Sequence, residues 1–192
     1  IHFGMSGTLH LVKKNKKNIN TNLSFYSEKN LPKKHNHVEI LFDRFKLIYN
    51  DPRRFGFIIL LISSQKFLDF FKKLGLEPLD IGFNYKYLKN KIFYRQKNIK
   101  NILLDQSIVS GLGNIYVNEI LNYSKVNPKK YGFKLLPNEI KLIVKYSKVV
   151  IKKAIIKGGS SIRNFKNSKG QKGSYQNEFR VYDRNEKECI NK

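Results

Sequence analysis

Apolar and polar residues alternate through three stretches of the first sixty positions: Leu9 and Leu11, then Val38, Ile40 and Phe42, then Phe45, Leu47 and Tyr49. A period of two puts the apolar members on one face of an extended chain, so these stretches predict half-buried β-strands. Asp43 and Arg44 fall between two of them and predict a tight hairpin, while the basic, polar run from Lys13 to Asn22 predicts a loop. Residues 1 to about 62 therefore read as antiparallel β.

The period then lengthens. Ser63 or Ser64 can cap a helix that would bury Phe67, Leu68, Phe71 and Leu74, with Gly75 placed as its C-terminal cap. Between Glu77 and Asn98 the pattern weakens around Pro78 and Gly82, and the domain connection is expected there. Three helical stretches follow: Ile99 to Ser107, Asn114 to Tyr123 after a turn at Ser110 to Gly113, and Asn138 to Lys157. In the last, Ile140, Ile143, Val144, Ser147, Ile151, Ala154 and Ile155 recur at steps of three and four, with Asn138 as cap and Gly158-Gly159 as terminator. Beyond Ser160 the chain reads as loop, then as strand through Phe179, Val181 and Tyr182.

Charge narrows the class of partner. The chain carries 38 Lys and Arg against 14 Asp and Glu, a formal charge of +24, which repels itself unless a polyanion offsets it, and nucleic acid is the leading candidate. Codons of an AT-rich genome also favour Lys, Asn and Ile, so part of the excess is background. No apolar run approaches the roughly 20 residues of a membrane span, and no signal-peptide pattern is present. The lone Cys189 rules out a disulfide within the chain and fits a reducing cytoplasm. The sequence opens at Ile1 without methionine and stops just past that cysteine, so it is expected to be a piece of a longer protein.

Four segments carry candidate chemistry. In Gly111-Leu112-Gly113-Asn114-Ile115-Tyr116 a glycine turn opens a helix, which suits a phosphate at the helix N-terminus; no strand precedes it and Tyr116 replaces the third glycine, so it is not a dinucleotide fingerprint. An ordinary turn between helices is the alternative. Asp51-Pro52-Arg53-Arg54-Phe55-Gly56 follows a strand and sets two guanidinium groups and a phenyl ring on its tip. A guanidinium can hydrogen-bond an orphaned base while an apolar group fills the gap in the stack, as base flipping demands; a β-turn with two solvated arginines is the alternative. Gly4-Met5-Ser6-Gly7 holds the single methionine between glycines that permit close approach, or else a core methionine. In Lys34-His35-Asn36-His37 the imidazoles could touch phosphate or lie idle on the surface, and two histidines without a third ligand do not make a metal site.

Taken in order, these segments resemble the formamidopyrimidine-DNA glycosylase family, the bacterial enzymes that remove 8-oxoguanine and ring-opened purines from DNA. The resemblance runs through Ile1 to Gly7, Lys34 to Val38, Asp51 to Gly56, Leu74-Gly75-Leu76-Glu77-Pro78-Leu79, Ile99 to Leu121, Gly158-Gly159 and Gln176 to Cys189. It implies an α+β fold: an incomplete antiparallel β-sandwich domain over 1–80, a connection over 81–98, and a helix-two-turn-helix DNA-binding domain over 99–159. A lesion-recognition loop and the start of a β-hairpin zinc finger would occupy 160–192. The implied partner is damaged double-stranded DNA, bound by a cytoplasmic monomer with no membrane contact.

The same resemblance implies residue roles. Met5, Arg53 and Phe55 would fill the space of the extruded nucleotide, with Arg53 holding the orphaned cytosine; His35, Lys100 and Asn114 would contact phosphates; Ser161 and Tyr175 would line the lesion pocket. The family's nucleophile is an N-terminal proline whose amine attacks the sugar C1′, expels the base and leaves an imine that undergoes strand-cleaving elimination, assisted by a neighbouring glutamate. Neither that start nor the lysine of the preceding strand is among the 192 residues, so the piece itself is expected to be inactive. Cys189 matches the first ligand of a four-cysteine zinc finger, but Lys192 stands where the second is expected, so zinc is implied for the complete protein alone. Three rivals are kept: an endonuclease VIII-type glycosylase for oxidised pyrimidines, a ribosome-associated RNA-binding protein, and a non-catalytic DNA-binding remnant.

Overall fold

The computed structural model describes residues 1–13, 33–160 and 173–188. These divide into two compact units: Ile1–Leu60 with Lys157–Gln176, and Leu61–Ile156 with Asn177–Lys192. The fold is α+β, with a small antiparallel sheet in the first unit and helices in the second.

Strands β1 (Thr8–Lys13), β2 (Asn36–Leu41) and β3 (Phe45–Asn50) form one antiparallel sheet in the order β1-β3-β2. Alternation sets the register: Leu9 and Val38 both stand opposite Tyr49, and Leu11 and Ile40 opposite Leu47, so each row puts apolar side chains on the same face. Asp43 and Arg44 make the hairpin, closed by Phe42 N–H donating to the Phe45 carbonyl at 2.9 Å. Of the expected sandwich, the described residues contain this single layer. Among the described residues Phe57 to Ile62 pairs only through a bridge from His2 to Phe57.

In the second unit α1 is Ser64–Phe71, capped by Ser63 Oγ accepting from Lys66 N–H. Its face was expected to be buried; instead Phe67, Leu68 and Phe71 are 51, 52 and 46% exposed. Gly75 does not cap it either. The chain passes so close to the backbone at Ile108 that a Cβ on Gly75 would sit 2.3 Å from the Ile108 carbonyl carbon, so the glycine serves a close approach.

Helix α2 (Tyr85–Ile92), capped by Asn84, occupies the stretch read as a connection. Only Leu88 and Ile92 point inward from it, too short a stripe to register as a period. Helix α3 (Ile99–Leu104) ends three residues early because Asp105 turns extended, and α4 spans Asn114–Tyr123 as expected. Helix α5 (Pro137–Ile156) starts one residue before the expected cap. Proline suits the first helical position, and Glu139 reaches back to accept the Leu136 N–H at 2.7 Å, which makes Leu136 the capping residue rather than Asn138. Ile99, Ile102, Leu103, Val117, Ile120, Ile143 and Val150 are fully buried in this unit, each such side chain contributing roughly 1.5–3 kcal/mol.

The expected strand through Phe179 to Tyr182 is absent. A 3-10 turn at Tyr175–Glu178 leads into bends, and the amides of Arg180, Val181 and Tyr182 all donate to the Glu119 carboxylate at 2.8, 3.0 and 2.9 Å. Successive amides of a strand point to opposite sides and could not converge in this way.

Candidate nucleic-acid interface

In the first unit the site is built by a buried carboxylate. Asp51 directly follows β3 and has no exposed surface, and its oxygens accept from Ser6 Oγ at 2.5 Å, Gly56 N–H at 2.9 Å, Tyr49 Oη at 3.1 Å and Arg53 N–H at 3.2 Å. Burial alone would raise its pKa, but these four donors outweigh it and hold the carboxyl down to about 2. The partner phenol responds in the opposite sense: burial, and then the hydrogen bond and negative charge of Asp51, push Tyr49 up to about 12.

That carboxylate folds residues 51–56 inward at both ends and so turns its middle outward. Pro52 takes the second position of a turn closed by Arg54 N–H on the Asp51 carbonyl, 3.3 Å, and Arg54 adopts a left-handed φ of 56°. Arg53, Arg54 and Phe55 are exposed. The Arg53 guanidinium carbon lies 4.7 Å from the centre of the Phe55 ring, a cation–π contact that presents both groups together.

Met5 sits on the adjoining turn, closed by Gly7 N–H on the Phe3 carbonyl at 2.8 Å. Ser6 pins this turn, donating to Asp51 and accepting the Arg53 N–H at 3.1 Å. Gly4, with φ 59°, lies against residues 55–56: a Cβ there would fall 2.6 Å from the Phe55 carbonyl carbon. Met5 and Phe55, both 56% exposed, therefore emerge from abutting backbones. His35 ends a 3-10 turn and its carbonyl accepts the Asp51 N–H at 3.0 Å, while His37 Nε2 donates to the Asp51 carbonyl at 2.8 Å.

Also in this unit, Gly173 packs so tightly on Gly158 and Gly159 that a Cβ would lie 2.1 Å from the Gly159 carbonyl oxygen. Ser174 N–H donates to the Lys157 carbonyl and Tyr175 N–H to that of Gly159. Tyr175 is fully buried at this stem. Ser161 and Cys189 lie outside the described residues, among which no cluster of three or more His, Cys, Asp or Glu side chains could hold a metal.

The second unit carries the turn between α3 and α4. Gln106 braces it from within, accepting Gly111 N–H at 2.9 Å and donating to the Leu112 carbonyl at 2.9 Å. Ser110 Oγ ties it to the Gly75 carbonyl at 2.8 Å, and Leu76 bridges Val109. Asp105 accepts Ser107 Oγ at 2.6 Å and Ser107 N–H at 3.0 Å, the main reason its pKa is lowered. At the end of this braced turn Gly113 caps α4 with no side-chain hydrogen bond, and Asn114 is exposed. No side chain caps the start of α4, and the space over Gly111 and Gly113 is clear, an arrangement that suits an anion at the helix N-terminus. Lys100, half-buried, lies in the first turn of α3.

The sequence did not mark Ser6, Tyr49 or Glu119 as residues that hold the site, although Tyr49 belonged to an alternating strand and Ser6 to the Met5 segment. Glu119 gave one usable signal, a carboxylate on α4 between the buried positions Val117 and Ile120; nothing in the spacing of Ser6 or Tyr49 pointed to Asp51 as their partner. Among the described residues no helix is long and apolar enough to cross a membrane.

Two sequence profiles match the chain in order: the formamidopyrimidine-DNA glycosylase N-terminal domain over residues 1–58 and the formamidopyrimidine-DNA glycosylase H2TH domain over residues 74–166. Formamidopyrimidine-DNA glycosylase of Rickettsia bellii is 39% identical over 191 residues, covering 99% of this chain and 65% of that protein. That of Wolbachia pipientis is 36% identical over 190 residues, covering 98% and 65%. Among solved structures, a Lactococcus lactis Fpg variant bound to Fapy-dG-containing DNA matches with a TM-score of 0.77 at 34% identity, over 98% of this chain and 65% of that one. The same enzyme bound to abasic-site DNA matches at 0.75 and 35%, over 97% and 64%. The chain spans about 65% of the length of these relatives. Two profiles in sequence order, relatives aligned along nearly all of its residues and solved structures that share its fold agree that the chain belongs to the formamidopyrimidine-DNA glycosylase family.

Proposed function

We propose that the protein containing this chain is a base-excision repair glycosylase and AP lyase for oxidised purines, and that residues 1–192 supply its duplex-gripping and nucleotide-extruding surfaces. The reading rests on the Asp51 loop, which presents Arg53 and Phe55 in mutual contact and exposed beside Met5. Extruding a nucleotide leaves a gap in the stack and an unpaired partner base. Met5 and Phe55 supply apolar groups for the gap, and Arg53 supplies donors for the orphaned cytosine. A loop held by four hydrogen bonds to one buried carboxylate keeps these groups outward before DNA arrives, so little ordering entropy is lost on binding.

Phosphate contacts are assigned to Asn114 at the N-terminus of α4, to Lys100 and to His35; they position the duplex without reading sequence. Ser161 and Tyr175 are proposed for the lesion pocket, with the buried Tyr175 shaping the stem and not the exposed surface. No residue of the chain is assigned the role of the nucleophile. Zinc does not fit the residues present, since Cys189 is the single cysteine and one thiolate is not a site; no step is derived through it. A cytoplasmic location, where the substrate DNA lies, belongs to the same proposal.

The test is equilibrium binding of the chain to a duplex with an abasic-site analogue opposite cytosine and to its undamaged counterpart. Arg53→Ala is expected to weaken lesion-duplex binding by about 1–3 kcal/mol, the range of a good base contact, with a smaller effect on intact duplex. Equal affinity of wild type and variant for the lesion duplex would remove Arg53 from the extrusion site.

A further inference from the structure

Helix α5 divides sharply by phase. At about 100° per residue, Ile140, Ile143, Ser147, Val150 and Ala154 gather on one side, each buried. Lys141, Lys145, Lys148 and Lys152 fall within roughly 60° of one another on the opposite side. Their steps of four, three and four make a straight row about 16 Å long at 1.5 Å per residue. Three of the four are exposed and Lys148 is half-buried.

Among the described residues no carboxylate pairs with this row. Glu139, the sole acid of α5, is occupied by Lys130 Nζ at 2.8 and 2.7 Å and by the Leu136 N–H. Helix α2, which packs against α5, has no acid at all and adds Lys89. Among the described residues none of the four lysines joins an ion pair. Instead Lys141 and Lys89 each stand 5.8 Å from the Tyr85 ring, Lys145 stands 5.6 Å from the Tyr146 ring, and Lys148 donates to the Asp80 carbonyl at 3.4 Å. An ammonium has three donors, so each of these contacts leaves donors for a phosphate. Like charges three and four residues apart on a helix repel, and among the described residues no carboxylate pairs with any of the four.

The row also faces away from α4, which packs on α5 from the buried side. A duplex lying across the N-terminus of α4 therefore leaves it uncovered. We infer that the lysine row of α5 binds the phosphate backbone of a second duplex segment while the first is held at the N-terminus of α4, so that the protein passes directly between DNA segments. The inference rests on the duplex-binding reading above. A row of point charges suits backbone contact, and because lysines already cover the Tyr85 and Tyr146 rings, those rings are poor platforms for stacking single-stranded bases.

The experiment loads the chain on a labelled duplex and chases it with increasing unlabelled duplex. Direct transfer makes the release rate climb with chase concentration. K141Q/K145Q/K148Q/K152Q is expected to lose that dependence while still binding the first duplex, and the charge-matched K66Q/K72Q/K73Q/K187Q to retain it; helix content by circular dichroism confirms that both variants fold. A flat chase response in the wild type overturns the inference alone. So does equal loss in both variants, which assigns the effect to net charge, or acceleration by structured RNA but not by duplex. Failure to bind the first duplex overturns the earlier reading as well.

Discussion

Asp51 does its work as a charge. Its carboxyl, ordinarily near 3.8, is held down to about 2 in the folded protein, so the ionised form is the one the fold prefers. The stability this contributes is present above the unfolded value near pH 4 and is lost as pH falls through about 2. A shift of that size corresponds to about 2 kcal/mol. Urea unfolding followed between pH 6 and pH 2 should show this loss in the wild type, and Asp51→Asn should be less stable at pH 6 and flatter across the window. An unchanged pH profile would mean that the four donors do not depend on the charge. Gly56 is bound to the same arrangement from the other side. A Cβ at that position would stand 2.5 Å from the His2 carbonyl oxygen and closer still to Tyr49 Oη, so Gly56→Ala is expected to lower stability by about 1–3 kcal/mol, read by thermal unfolding.

At the scale of elements, α4 is uncapped at its start and anchored at its middle. Its N-terminus has no side-chain cap, which costs local stability but leaves Asn114 at the helix N-terminus exposed for a phosphate. Asn114→Ala is expected to weaken damaged and undamaged duplex alike, because a phosphate contact ignores sequence, and titrations showing a selective loss would contradict that role. Farther along, Glu119 binds three successive amides of residues 180–182 to the helix. Glutamine offers one acceptor oxygen where the carboxylate offers two, and it turns an NH2 group toward buried N–H donors. Glu119→Gln should cost about 1–3 kcal/mol and speed hydrogen exchange at Arg180, Val181 and Tyr182 while α4 keeps its protection.

For the molecule as a whole, with its charge of +24, the proposed duplex binding is expected to weaken with salt according to the number of phosphates it neutralises. Each phosphate neutralised releases counterions, so the logarithm of affinity falls linearly with the logarithm of salt concentration. Lys100→Ala is expected to reduce that slope by about 1 with equal effect on every duplex, whereas Arg53→Ala changes the preference for the lesion. A slope unchanged by loss of Lys100 would place its ammonium away from the backbone.

Local chemistry was legible in the chain by itself. Strand alternation, the Asp43-Arg44 hairpin, the bounds of α4 and the outward-facing guanidinium and phenyl of residues 51–56 all depend on neighbours within a few positions, where spacing and turn residues carry the signal. The ordered motifs were enough to point to the family. Tertiary structure decided what depends on distant partners. Ser6 meets Asp51 from 45 residues away and Glu119 meets Val181 from 62. Gly75 answers to the backbone at Ile108 and not to the helix before it, and α1 shows to solvent an apolar face that its periodicity had placed inside. Periodicity tells which side of an element is apolar; only the packed chain determines what, if anything, that side meets.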